Sequence, residues 1–283
     1  MIEIAENVYI ETGFASLTLG AIRTTAGWVL VDAPPYPRDA ETWQSALRAH
    51  TNLPVCAIIL TNAYYDRALG TAWFDVPVVA HERAAALLRE QGAAFAVDAA
   101  ELLARDVDER VALAAAGEIT PDITFDEEIW LYYGGTSIQL DSRPAGAEGS
   151  VWAALPELNV LFVGDAITST LPPVIQSPTT KQWLNTLTTL RRDRYADWTI
   201  VTGRNGVLEP GGTEPLAEYL RAARRRVYGL LRAGEPRARL ADISAELLAA
   251  HPSGSADAEV IEKRIRQGLD VIYDELAPEF ASE

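Results

Sequence analysis

Histidine and cysteine are almost missing from this sequence. Its 283 residues include three histidines, His50, His81 and His251, and one cysteine, Cys56. One cysteine excludes an internal disulfide, and inside the apolar run at 55–60 it reads as a buried, inert small hydrophobe. Three scattered histidines are too few for a histidine-rich metal centre. No Ser-His-Asp or Cys-His set is in view either. Long apolar runs are also lacking: none approaches the ~20 residues of a membrane helix. The first residues are acidic and have no apolar signal core. The expectation is a soluble, cytoplasmic chain with no membrane partner. Positive charge is short as well, with 24 Lys and Arg against 40 Asp and Glu, so 24 − 40 = −16. That balance repels phosphate backbones, and no nucleic-acid partner is expected.

Apolar material is plentiful at 48%, enough for one large domain or one domain with an appendage. The organising stretch is 58–70. An apolar, β-branched strand at 55–60 runs into a polar loop at 61–67, and a helix is expected over 68–74. A strand that ends in a polar loop feeding a helix is where α/β proteins place their chemistry. Strands are expected at 7–10, 17–24 and 27–31, the last followed by Asp32, then a helix at 38–50. His50 ends that helix and reads as a capping or surface residue. A strand at 76–80 leads to His81, read as structural, and a helix at 82–91. Residues 93–116 form one or two helices and are a candidate lid. Residues 119–125 read as a loop, with Pro121 barring a helix. A hairpin follows around Gly134-Gly135, with strands 129–133 and 136–140. Strands 151–155 and 160–163 close on Gly164-Asp165. A Pro-rich loop at 172–178 precedes an amphipathic helix at 181–192. The strand at 198–201 ends in Thr202-Gly203-Arg204-Asn205-Gly206.

From 214 onward the pattern is helical: 215–232, 240–251 and 256–276, punctuated by Pro236 and by Pro252-Ser-Gly-Ser. His251 falls at a helix end and reads as structural. Arg221, Arg224, Arg225, Arg226 and Arg232 crowd this part. They read as a solvated helix face, the alternative being an anion site.

Several of these landmarks resemble the metallo-β-lactamase superfamily. There, the strand before the site loop leads into His-x-His-x-Asp-His; here the residues are Asn62-Ala63-Tyr64-Tyr65-Asp66-Arg67. Gly149-Ser150-Val151-Trp152 and Leu161-Phe162-Val163-Gly164-Asp165 also match, while the family's next histidine falls on Gly146 or beside it. The family's Pro-Gly-His-Gly puts its last ligand at Arg204, or at Asn205 with the gap moved. Asp32 would brace the site loop from behind; equally, it closes a turn ahead of prolines. The landmarks keep their order across about residues 1–210. The resemblance implies an α/β fold, an αββα sandwich over 1–212, with a C-terminal helical extension over 213–283.

In active relatives zinc or iron sits among the histidines with two aspartates, and the metal brings bound water to a pKa of about 7. Here only Asp66 and Asp165 are ordinary ligand types. Arginine stays cationic and repels a metal, and neutral Tyr and Asn are poor zinc ligands. No metal ligand and no zinc cofactor are therefore expected. Two close carboxylates without a metal would repel, so Arg67 and Arg204 are expected as counter-charges to Asp66 and Asp165. The resulting reading is a non-hydrolytic pseudoenzyme. Asn62, Tyr64, Asp66, Arg67, Asp165, Arg204 and Asn205 would bind a small polar or anionic ligand, or a protein partner. The alternative is a hydrolase of esters, thioesters, lactones or phosphodiesters. Tyr64 or Tyr65, with a lowered pKa, would then act as acid or base and Asp165 as base. A weak hard-cation site on Asp66, Asp165 and Asn62 is a variant of it. A third reading is an assembly role: a homodimer through the C-terminal helices, with the arginine cluster meeting an acidic partner.

Overall fold

A computed structural model describes residues 1–14, 17–168, 172–192, 195–250 and 258–280. His251 and the Pro252-Ser-Gly-Ser punctuation lie outside these residues, as do 256–257 of the last expected helix.

Thirteen strands among the described residues build two sheets. The first holds β1 (Ile2–Ala5), β2 (Val8–Phe14), β3 (Leu17–Arg23) and β4 (Trp28–Val31). After helix α1 (Pro37–His50) it continues with β5 (Val55–Ile59). The site stretch follows as one turn of helix, α2 (Tyr65–Ala68), tightening into a 3₁₀ turn at Leu69–Trp73. Next come β6 (Val78–His81), α3 (Glu82–Gln91), α4 (Ala94–Leu103), α5 (Val107–Ala114) and β7 (Ile123–Phe125). The strands lie in sequence order, antiparallel from β1 to β4 and parallel from β4 to β7. The second sheet takes β8 (Glu128–Tyr133), β9 (Thr136–Ser142), β10 (Val151–Leu155) and β11 (Val160–Gly164). After α6 (Thr180–Arg192) it is completed by β12 (Thr199–Thr202) and β13 (Gly206–Val207). Its order is β13-β12-β11-β10-β9-β8, with only β11 and β12 parallel. The C-terminal helices are α7 (Glu214–Arg232), α8 (Leu240–Ala250) and α9 (Ala258–Phe280).

The chain forms two compact units. The first comprises Met1–Arg143, Glu148–Asp165 and Arg194–Leu208, and so contains both sheets. Its central core lies between them: Val8, Ile22, Val29, Val31, Ile59 and Val79 meet Leu140, Val151, Leu155, Val160, Phe162 and Val201. The outer face of the first sheet is covered by helices. Trp43 and Leu47 of α1 bury against Leu19, Trp28 and Leu30. Leu88, Phe95, Ala99 and Leu113 of α3 to α5 bury against Leu60, Val78 and Ala80. The expected α/β class with two packed sheets is what the chain adopts.

The second unit comprises Pro144–Ala147, Ala166–Asp193 and Glu209–Glu283. Its helices bury Trp183, Leu187, Leu220, Val227, Leu247, Ile265 and Ile272. Trp183 Nε1 donates to the Ala166 carbonyl at 2.8 Å. No helix of the described residues is long and apolar enough to cross a membrane.

Three expectations need correction, and one strand was not foreseen. Residues 119–125 are not wholly loop: Ile123–Phe125 pairs parallel with β6 and forms the sheet's edge, and three residues are too few for an alternating pattern to show. Ile2–Ala5 is a strand that the acidic N-terminus hid. The loop at 61–67 ends early, because the Tyr64 carbonyl already accepts from the backbone N–H groups of Arg67 and Ala68. Cys56 is half-buried rather than buried, with Sγ donating to the Ala26 carbonyl at 3.2 Å.

Candidate functional site

The loops after β4, β5 and β12 belong to the first unit, as does Asp165, the first residue past β11, and these strand ends converge. Asp32, the first residue past β4, is a non-glycine at φ 59°. Its Oδ1 accepts from the Thr61 backbone N–H at 2.8 Å and its Oδ2 from the Thr61 hydroxyl at 2.7 Å. These two bonds tie Asp32 to the start of the site loop from behind. Asp is among the few non-glycine residues that visit this left-handed conformation, and here bonds across to the next strand's end hold it there.

Arg67 sits at the centre, entering from the single turn of α2. Its side chain is 0% exposed. Nε and Nη2 donate in parallel to the two Asp165 oxygens at 2.9 and 2.8 Å. Nη1 reaches Asp32 Oδ2 at 2.7 Å, and Nη2 also donates to the Gly203 carbonyl at 2.7 Å. This fork geometry suits a carboxylate, and desolvation makes it far stronger than a surface pair. The backbone makes room for it. A Cβ on Gly203 would strike Arg67 Nη2 and lie 2.9 Å from Asp165 Oδ1, so position 203 must be bare.

Arg204, next along, closes the network from the outer side. Its side chain is 24% exposed. Nη1 donates to Asp66 Oδ2 at 2.7 Å. Nε and Nη2 reach Asp165 Oδ1 and Oδ2 at 3.0 and 3.1 Å. Asn62 Nδ2 adds a long contact to Asp165 Oδ2 at 3.5 Å, and Asn62 Oδ1 accepts from the Tyr64 N–H at 2.9 Å. Asp165 is the hub, gripped by two guanidinium groups. The expected pairing is therefore refined: Arg67 bridges Asp165 and Asp32, while Arg204 bridges Asp165 and Asp66. Asp32 belongs to the cluster, although the residue pattern alone left its role open.

Electrostatics follow from this packing. Burial pushes the Asp165 carboxyl up, but Arg67 and Arg204 outweigh it and hold the group at about 2. Burial would lower the Arg67 pKa; Asp165 and Asp32 reverse that and raise it. Arg204 is likewise raised by Asp165 and Asp66 against burial. Burial pushes Asp32 up, against the pull of Arg67 and the bonds from Thr61.

The remaining expected residues sit differently. Tyr64 is half-buried, and burial, then Asp165, raises its phenol pKa. Tyr65 turns away to Phe95 of α4, with ring centroids 4.9 Å apart, and burial raises it too. The lowered tyrosine pKa that an acid-base role requires is the opposite of what these surroundings produce: a neighbouring carboxylate and low solvation both oppose a phenolate. Asn205 is exposed in the turn after β12, its backbone N–H donating to Thr202 Oγ1 at 3.1 Å. His81 caps α3, its Nδ1 accepting from the Arg83 N–H at 3.0 Å. His50 ends α1, with Nε2 3.1 Å from the Tyr9 hydroxyl. Gly146 belongs to the second unit, where a Cβ would lie 2.9 Å from the Trp183 ring; its carbonyl accepts from Gln176 and Ser177.

No protein-family model matches the sequence, and no curated protein does. Solved structures do match. A metallo-beta-lactamase family protein from Thermus thermophilus is 18% identical, with 99% of this chain and 95% of that chain covered at a TM-score of 0.66. A beta-lactamase domain protein from Burkholderia ambifaria is 15% identical, with 99% and 88% covered and a TM-score of 0.68. The stereoselective inverting sec-alkylsulfatase Pisa1 from Pseudomonas sp. is 16% identical; 96% of this chain but 49% of that chain is covered, at a TM-score of 0.66. At such identities the likeness speaks for architecture, and the chain has the metallo-β-lactamase fold.

Proposed function

We propose that this chain is a non-hydrolytic protein built on a hydrolase fold, with two guanidinium groups standing where a metal centre would need room. It would use the same loop ends to bind a small polar or anionic molecule. The observation that carries the reading is the state of Asp165: both of its oxygens accept from Arg67, Oδ2 accepts from Arg204 Nη2 as well, and Oδ1 lies 3.0 Å from Arg204 Nε. The donor set does not fit zinc. Asp32 and Asp66 also pair with these arginines, and a metal would have to displace fixed cations from every one of these carboxylates, against charge repulsion. A carboxylate held at about 2 is also a weak general base near neutral pH.

The ligand-facing part is Arg204. It is partly exposed and commits one N–H each from Nη1 and Nη2, while Nε lies 3.0 Å from Asp165 Oδ1. A guanidinium has five N–H donors, so one on each terminal nitrogen is left for a ligand oxygen. Arg67 is sealed and serves the scaffold.

Metal analysis of protein purified without chelator, and a thermal-shift titration with zinc, test the first part. Sub-stoichiometric metal and no zinc-dependent shift are expected. Stoichiometric zinc or iron, with ester, lactam or sulfate-ester turnover that a chelator abolishes, would sink it. A thermal-shift screen of small carboxylates, phosphates and sulfates tests the second part. A hit should lose its shift in Arg204→Gln; binding indifferent to that change would place the ligand elsewhere.

A further inference from the structure

Among the described residues, no strand pairs with one edge of the second sheet. β8 is its terminal strand, paired with β9 in the register Glu128↔Asp141 through Tyr133↔Thr136. Just before it, the Ser142 N–H donates to the Glu127 carbonyl at 2.8 Å. Hydrogen-bonded positions alternate along an antiparallel pair. Ile129, Leu131 and Tyr133 therefore direct their backbone groups to β9, and Glu128, Trp130 and Tyr132 turn theirs outward. The same three side chains stand on the outer face, because side chains alternate along a strand. Trp130 is 39% exposed and Tyr132 72%. Their rings stack with centroids 6.4 Å apart and planes 15° apart. Leu131 faces the core instead.

Open edges are usually blunted by proline, lysine, a bulge or an inward charge. Residues 128–133 contain no proline or lysine, and their register is continuous. Their single charge, Glu128, is already engaged: one oxygen accepts from Trp130 Nε1 at 2.7 Å and the other from Gln139 Nε2 at 3.1 Å.

We infer that β8 pairs antiparallel with β8 of a second copy of this chain, across a two-fold axis at Trp130. The strand is complementary to itself in that register. Trp130 faces Trp130, and Tyr132 faces Glu128 of the second copy, so all three outward positions are used. The aromatic rings of both copies meet on one face, and cross-strand aromatic pairs are favourable. The two Glu128 carboxylates stay apart, whereas the register that sets Glu128 against Glu128 opposes like charges. An isologous contact of this kind closes at two copies and leaves no further edge on β8.

Light scattering coupled to size-exclusion chromatography of the full chain tests the proposal. The expected mass is twice 30.8 kDa. Replacing both Trp130 and Tyr132 by lysine should return it to the single-chain mass with the circular dichroism spectrum unchanged. The register is tested in a Cys56→Ser background. Trp130→Cys should cross-link to a dimer under mild oxidation, since facing hydrogen-bonded Cα atoms are ~5.5 Å apart. Tyr132→Cys, facing position 128, should not. A single-chain mass for the unsubstituted protein overturns the proposal and leaves the edge to a foreign strand. A dimer that survives the double-lysine change overturns it too, placing the contact elsewhere, such as on the C-terminal helices. Cross-linking by Tyr132→Cys but not by Trp130→Cys overturns the register.

Discussion

Arg67 of the first unit and Arg237 of the second make almost the same bonds and do different physical work. Each grips two carboxylates. Arg67 reaches Asp32 at 2.7 Å and Asp165 at 2.8 and 2.9 Å. Arg237 reaches Asp270 at 2.8 Å and Asp274 at 2.7 and 3.1 Å, with its guanidinium over the Tyr273 ring. The difference is water: the Arg67 side chain is fully enclosed, whereas that of Arg237 is 45% exposed. Bond length therefore says little about worth. Screening reduces an exposed pair to a small net term, while a buried charge without its partner costs several kcal/mol.

The sharpest break of the comparison is Arg67→Ala. It leaves Asp32 buried without its counter-charge and Asp165 with Arg204 alone. A loss of roughly 3–5 kcal/mol is expected, visible as a fall in Tm of on the order of 10 °C. Arg67→Lys should recover little of it, because an ammonium cannot reproduce the fork. Urea denaturation of both variants measures this, and near-native stability in Arg67→Ala would show the network to be dispensable.

Acid comes next. Asp165 is depressed in the folded state to about 2, against about 3.9 unfolded. A depressed carboxyl stabilises the fold above its unfolded pKa and loses that contribution as pH falls toward its folded one. A decline of about 2 kcal/mol is therefore expected between about pH 4 and pH 2. Arg204→Gln removes one of the two groups holding Asp165 down, so its decline should begin at higher pH. Denaturation midpoints across that range check the shift.

The smallest effect is expected on the exposed side. Arg237→Ala should cost about 0.5 kcal/mol or less, and a double-mutant cycle with Asp274→Ala should give a coupling that fades with salt. A loss comparable to that of Arg67→Ala would refute burial as the deciding variable.

The arginine cluster at 221–232 teaches the same lesson. Arg221 pairs with Glu214, Arg224 with Glu275, and Arg226 with Glu246, all within the second unit. The acidic partner of these three arginines is their own unit. Spacing along one helix could show that charges crowd a face, not which helix supplies the counter-charge. Glu275, for instance, also accepts from the Thr180 and Lys181 N–H groups at the start of α6.

Local pattern carried much of the fold. The helix at 82–91 and the strand at 151–155 fall as expected, because ten periodic residues or five consecutive apolar ones are long signals. Short elements escaped: Ile123–Phe125 has a strand's conformation only because β6 lies beside it. At the site, the residue types at 66, 67, 165 and 204 were enough to expect arginine-carboxylate pairing, since carboxylates brought together need cations. Asp32 as a full participant was not readable in that way. Its partners Thr61 and Arg67 are 29 and 35 residues away along the chain, and its conformation is held by bonds that exist only after β4 and β5 lie side by side.

By itself, then, the sequence determined which charges are available and how few histidines accompany them. Which arginine is sealed and which is open was decided by the tertiary structure. Arg67 is enclosed because a bare Gly203 and three strand ends close around it, and Arg204, one residue further along the same turn, is left partly in water. Charge is a property of a residue, but its energetic worth depends on the solvent it has lost, and only packing removes solvent.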